Sequence, residues 1–163
     1  MMLWDKLMMQ RCIGIGLLWL VQISTWAASC SITSPTLDFG SYDPLLGTAD
    51  NSTAVIQVSC VRTVLPSETA NYTLTSSVGN GANYATRVML RGADQLTYNV
   101  YSNSARTQIW GNGTNSTFTI TGSFTLNNNT TRSRNHTLYG RIPPLQDITA
   151  GTYNDTLVTT LTF

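Results

Sequence analysis

Beyond residue 28, apolar side chains recur at every second position in run after run, and helical spacing is almost absent. Ala54, Ile56, Val58 and Cys60 share one parity, with Thr53, Gln57 and Ser59 on the other. Tyr72 and Leu74 alternate with Thr73 and Thr75, and Leu96, Tyr98 and Val100 alternate with Thr97 and Asn99. Phe118, Ile120, Phe124 and Leu126 keep one parity through Gly122, where a bulge or bend is expected. Leu138 to Ile142 and Thr156 to Phe163 complete the series. A two-residue period puts one side of each segment in a core and the other in water, which is the pattern of half-buried strands.

Turn-forming residues separate the runs: Asp43-Pro44, Gly79-Asn80-Gly81, Gly92-Ala93-Asp94, Asn112-Gly113, Asn127-Asn128-Asn129 and Pro143-Pro144. Asn112-Gly113 is the strongest hairpin signal among them, because both residues tolerate positive φ in a type I′ turn. Six to eight short strands without helices predict an all-β fold, a β-sandwich, with a closed barrel as the structural alternative.

Lys6 and Arg11, the apolar run from Ile13 to Ile23 and the small residues Thr25, Ala27 and Ala28 have the three-part layout of a secretory signal peptide. The run is about half the roughly 20 residues that span a bilayer, so residues 1–28 are expected to be removed. No later stretch is apolar enough to re-enter a membrane. Residues 29–163 then form one domain of a size that supports a real core. They hold seven arginines, seven carboxylates and no lysine. A nucleic-acid partner would call for a basic surplus, which this balance lacks.

Cys12 leaves with the leader, so Cys30 and Cys60 are the pair that an oxidising compartment would join. Such a bond would stabilise the fold by roughly 3–4 kcal/mol in the chain-entropy model. A metal-binding or reactive thiol would need His or further Cys nearby, and the sequence offers neither.

The run Asp155-Thr156-Leu157-Val158-Thr159-Thr160-Leu161-Thr162-Phe163 reads as a last strand, with Leu157, Leu161 and Phe163 on one face and nothing after it to cover that face. Burying these three side chains would contribute roughly 5–9 kcal/mol, and an uncovered strand edge invites another chain.

Several segments in order resemble the spore coat protein U domain, which is also the subunit domain of archaic chaperone–usher pili. They are Phe39-Gly40-Ser41-Tyr42, Ile56-Gln57-Val58-Ser59-Cys60, Tyr98-Asn99-Val100-Tyr101, Trp110-Gly111-Asn112-Gly113, Tyr139-Gly140-Arg141-Ile142-Pro143 and Gly151-Thr152-Tyr153-Asn154-Asp155-Thr156. The resemblance implies an immunoglobulin-like β-sandwich lacking its last strand. A periplasmic chaperone, and later a neighbouring pilin subunit at the outer-membrane usher, would donate that strand. Leu157, Leu161 and Phe163 would then line or flank the acceptor groove. Only Ala28-Ser29 or less would precede Cys30 after cleavage, a stub too short to cross a neighbour's groove at about 3.3 Å per residue. A subunit of this kind would receive a strand and donate none, which places it at the distal end of a fibre.

Catalysis has thin support. His136 is the only histidine, expected in a solvent-facing loop, and the Ser and Thr hydroxyls lack a G-x-S-x-G turn or a triad. Asp147 and Asp155 flank the turn at Gly151, where Asx-turn or capping roles suit them better than acid–base work. Arg141 is a candidate partner for either carboxylate. Asn51, Asn71, Asn115 and Asn135 begin N-x-S/T triplets, expected to be unoccupied and to mark turns and solvent faces. Leu45, Leu46 and Trp110 are candidate surface contacts; packing at the mouth of a hairpin is the alternative for Trp110.

The sequence therefore predicts a non-enzymatic, exported pilus subunit without cofactor or metal, acting in surface attachment or biofilm formation. The alternatives are a free-standing secreted spore or cyst coat protein and, third, a small carbohydrate-binding module.

Overall fold

The computed structural model describes residues 28–63 and 66–163; the expected leader, all but Ala28, lies outside them. Eight strands follow one another: β1 (Ser29–Ile32), β2 (Asp50–Arg62), β3 (Glu68–Ser76), β4 (Arg87–Arg91), β5 (Asp94–Tyr101), β6 (Ile120–Leu126), β7 (Thr130–Ile142) and β8 (Thr159–Thr162). They form two antiparallel sheets, one ordered β1-β2-β7-β5-β4 and one ordered β6-β3-β8. The described residues contain no helix. The two sheets face each other across one core, which makes the fold a sandwich rather than a closed barrel.

The core is what the alternation predicts, except that Phe118 precedes β6 and is exposed. Ala54, Ile56, Val58 and Cys60 of β2, Tyr72 and Leu74 of β3, Leu96, Tyr98 and Val100 of β5, and Phe124 and Leu126 of β6 are all buried. Cys30 and Cys60 stand opposite each other in the β1–β2 register and are joined by a disulfide. Asn127 to Asn129 turn the chain from β6 into β7, with Asn129 in the left-handed region at φ 53°.

Four local expectations are corrected. Gly122 makes no bulge: the β3–β6 register runs unbroken from Glu68↔Leu126 to Leu74↔Ile120. Tyr72 lies directly across from Gly122, and a Cβ there would meet its hydroxyl at 2.3 Å, so the ring occupies the space a side chain would fill. Asn112-Gly113 is no two-residue hairpin. Trp110 bridges Phe118 in parallel, and Asn112 Oδ1 accepts from Thr114 N at 3.0 Å, which makes an Asx turn inside a wider loop. The tight hairpin is instead β4–β5, where Arg91 opposes Asp94 and Gly92 adopts φ 59°.

His136 is not in a loop. It pairs with Ile56 in the interior of β7, is half-buried, and its Nε2 lies 2.8 Å from the Tyr72 hydroxyl. The last strand is shorter than expected. Asn154 exchanges backbone hydrogen bonds with Leu90 of β4, so the chain there belongs to the five-stranded sheet. It then crosses to the other sheet, where Ser77 N donates to Val158 O and the register with β3 begins at Thr159.

Candidate functional site: the groove between the two sheets

The three-stranded sheet is too narrow to cover the five-stranded one. Two irregular stretches, around residues 33–42 and 148–157, cover the rest of its inner face. Gly140 shows how closely: a Cβ on it would meet Phe39 Cζ at 2.6 Å and Leu37 Cδ2 at 2.8 Å. A side chain at position 140 would push this segment away, so the missing Cβ is what lets it lie on β7.

The two stretches do not close the gap. A cavity of about 470 Å³ runs between them, walled on one side by Ile32, Leu37 and Phe39 and on the other by Tyr153 and Leu157. Ile56, Val100, Trp110 and Leu138 of the core form its floor. A second cavity of about 700 Å³ adjoins it across Phe39 and Met89. Both β1 and β8 are edge strands that flank this opening, each with one side unpaired among the described residues.

One end of the groove is polar. Asp155 Oδ2 accepts from the Tyr98 hydroxyl at 2.7 Å, and its Oδ1 accepts from Asn80 N at 2.9 Å. Burial pushes the Tyr98 phenol pKa well up, and the adjoining Asp155 carboxylate adds to the rise. Close by, Arg87 is fully buried. It donates to Asn99 Oδ1 at 3.1 Å, Ser76 Oγ at 2.9 Å, Ser77 O at 2.7 Å and Trp110 O at 2.8 Å, and its guanidinium lies 5.2 Å from the Tyr84 ring centroid. Burial lowers its pKa, while Tyr98, Tyr84, Asp155 and Tyr101 oppose that shift. The network pins the turn at Asn80 and the approach to β8 onto the five-stranded sheet. Hydrogen bonds therefore tie the two sheets together at this end of the groove.

The residues expected at the site divide. Leu157 is half-buried and lines the groove; Leu161 is half-buried, opposite Leu74; Phe163 is exposed. Leu45 and Leu46 project from the Asp43-Pro44 turn, 86% and 54% exposed. Trp110 is 1% exposed and its indole donates to Leu74 O, so it lies in the core and presents no surface contact. Arg141 pairs with neither Asp147 nor Asp155; its Nε donates to Asn51 Oδ1 at 3.2 Å. Leu37, Met89 and Tyr153 escaped the sequence reading, although Leu37 and Phe39 do share a two-residue period. No group of three His, Cys, Asp or Glu placed to hold a metal occurs among the described residues, and no helix there is long and apolar enough to cross a membrane.

A two-sheet, all-antiparallel sandwich with a cleft beside its last strand is an immunoglobulin-like architecture, and solved structures share it. A crystal structure of the CsuC–CsuE chaperone–tip adhesion subunit pre-assembly complex, from the archaic chaperone–usher Csu pili of Acinetobacter baumannii, superposes with a TM-score of 0.55 at 18% identity. The match covers 84% of this chain and 40% of that one, so the chain spans well under half of the solved chain. The family model for the Spore Coat Protein U domain matches residues 17–160. Protein U of Myxococcus xanthus is 33% identical over 148 residues, 83% of this chain and 78% of that protein. The chain belongs to the Spore Coat Protein U domain family.

Proposed function

We propose that this protein is a structural, non-enzymatic subunit of an archaic chaperone–usher pilus and that its groove accepts a strand from another chain. The open cleft between residues 32–39 and 153–157, with an apolar floor and the unpaired edge of β8 beside it, carries the reading. An extended segment laid there would hydrogen-bond to a sheet edge and place alternate side chains on Ile56, Val100 and Leu138. The donor in transit is a periplasmic chaperone, and at the outer-membrane usher a neighbouring subunit replaces it. A distal place in the fibre, with a role in surface attachment or biofilm formation, belongs to the same reading. Leu45 and Leu46 are then its exposed apolar contact, and β8, with Leu161 in it and Leu157 and Phe163 flanking it, its receiving edge.

A second reading, a free-standing secreted coat protein, draws on the likeness to Protein U and on the name of the family. A synthetic peptide of roughly ten residues alternating Val and Thr separates the two. For a receiving groove it should raise the melting temperature by several degrees, at roughly 4 °C for each 1 kcal/mol gained in a domain of this size. A peptide of the same composition with its valines clustered should do far less. No shift with either peptide would favour the coat protein.

A further inference from the structure

The outer face of the five-stranded sheet holds one place where two guanidinium groups and two phenol rings meet without an acid. Leu138, Gly140 and Ile142 of β7 are buried, so Tyr139 and Arg141 point outward. Tyr101 of β5 stands directly opposite Tyr139, and on the other side Thr53 and Asn51 of β2 oppose Tyr139 and Arg141. Both tyrosines and Arg141 are half-buried, while Asn51 and Thr53 are exposed.

The second guanidinium comes from Arg106, in the loop after β5. Arg106 adopts φ 55°, a left-handed backbone that residues other than glycine rarely take and that marks a constrained site. The loop is fixed from within: Asn103 Oδ1 accepts from Thr107 N and Gln108 N at 3.0 Å each, and Ser102 N donates to Gln108 O. This frame aims Arg106 Nε at Gly140 O, 3.0 Å away, with the guanidinium carbon 5.7 Å from the Tyr139 ring centroid. Arg106 Nη1 donates to Ser104 O, and Arg141 Nε donates to Asn51 Oδ1. Among the described residues, Arg106 Nη2 and both terminal nitrogens of Arg141 have no protein acceptor, and neither arginine forms an ion pair. Two like charges thus lie on this face, Arg106 bonded to Gly140 O and Arg141 on the next residue of β7, both partly exposed.

We propose that this shelf binds an acidic polysaccharide, one whose sugar rings carry carboxylates. The fork of a guanidinium matches a carboxylate in two parallel hydrogen bonds. Tyrosine rings offer a flat apolar face with a polar tip, suited to the face of a pyranose, and Asn51 and Thr53 supply partners for ring hydroxyls. A nucleic acid fits less well. Its closely spaced phosphates call for a broad basic surface, whereas residues 29–163 carry as many carboxylates as arginines.

Affinity electrophoresis of the full chain through native gels containing polygalacturonate, neutral dextran or single-stranded DNA tests this. Polygalacturonate should retard the protein, and dextran and DNA should not. Arg106→Gln and Arg141→Gln should each weaken the polygalacturonate affinity about tenfold, while Arg132→Gln, on the opposite face of β7, should change it less than about twofold. No retardation in polygalacturonate would overturn the proposal. So would an equal loss in Arg132→Gln, which would show diffuse attraction, or equal retention by DNA, which would show a general polyanion surface. If Arg106→Gln lowers the melting temperature by loosening its loop, the Arg141→Gln result decides, since that side chain's one described bond is to the Asn51 side chain.

Discussion

Arg87 carries a charge into the core without a carboxylate in direct contact. Four oxygens accept from its terminal nitrogens instead, two of them backbone carbonyls on separate segments, Ser77 O and Trp110 O, while its buried Nε has no partner. Removing the guanidinium strands those acceptors and leaves a hole where one of the largest fully buried side chains sits. Arg87→Met should therefore cost about 3 kcal/mol or more of unfolding free energy, measured by denaturant titration with the disulfide intact. Arg87→Lys should recover less than half of that loss, because one ammonium cannot span partners arranged for a planar fork. Equal stability of the lysine variant and the native protein would show that charge alone is needed. The residue next in weight is Asp155, which holds Tyr98 and Asn80 together and so fixes where the last segment leaves the five-stranded sheet.

Among elements, β1 depends most on a single bond. It has four residues and pairs only with β2, and the disulfide closes a loop with a sequence separation of 30. Cys30→Ala/Cys60→Ala should lose about 3–4 kcal/mol, read as a lowered denaturation midpoint, from restored loop entropy in the unfolded chain. Amide exchange along 29–39 should rise with it, because β1 leads into the groove wall at Ile32. The disulfide was legible from cysteine count and compartment, and β2, β3, β5 and β6 from their period of two. What stayed hidden has physical causes. β4 is five residues long and begins with a buried arginine, which breaks the alternation a reader looks for. The first half of β7, Thr130-Thr131-Arg132-Ser133-Arg134-Asn135, is exposed or nearly so, and only its pairing with β2 makes it a strand. The end of the chain read as one strand because Leu157 and Leu161 share a parity, yet Asn154 bonds to β4 and Thr159 to Thr162 pair with β3. Local pattern does not encode a crossing between sheets. The family resemblance named only last-strand residues for a groove; the opposite wall of the observed cleft, at Leu37 and Phe39, is irregular backbone, which periodicity does not reveal.

At the scale of the whole molecule, five strands face three, and the difference sets how the protein behaves before it meets a partner. The three-stranded sheet ends at β8, and beyond it the inner face of the larger sheet has only the irregular stretches over it. Their cavities reach down to core side chains that are themselves buried, such as Val100 and Leu138, beside two unpaired strand edges, and such edges are prone to pairing with another chain. Strand pairings are also far apart in sequence, such as β2 with β7 and β3 with β8, a topology expected to fold slowly and to leave the open edges exposed meanwhile. Under the pilus reading, expression alone in an oxidising compartment should then give mostly aggregated or proteolysed chain. Co-expression with a chaperone that inserts a strand should give a soluble complex of one copy each on size-exclusion chromatography. Because the insertion adds hydrogen bonds along β8 and fills the cleft over Val100 and Leu138, the complex should also unfold at a higher temperature than any free chain that can be recovered. A free chain that is abundant, monodisperse and no less stable than the complex would mean that Leu37, Phe39 and Leu157 already close the core well enough, and the coat-protein reading would then account for the fold better.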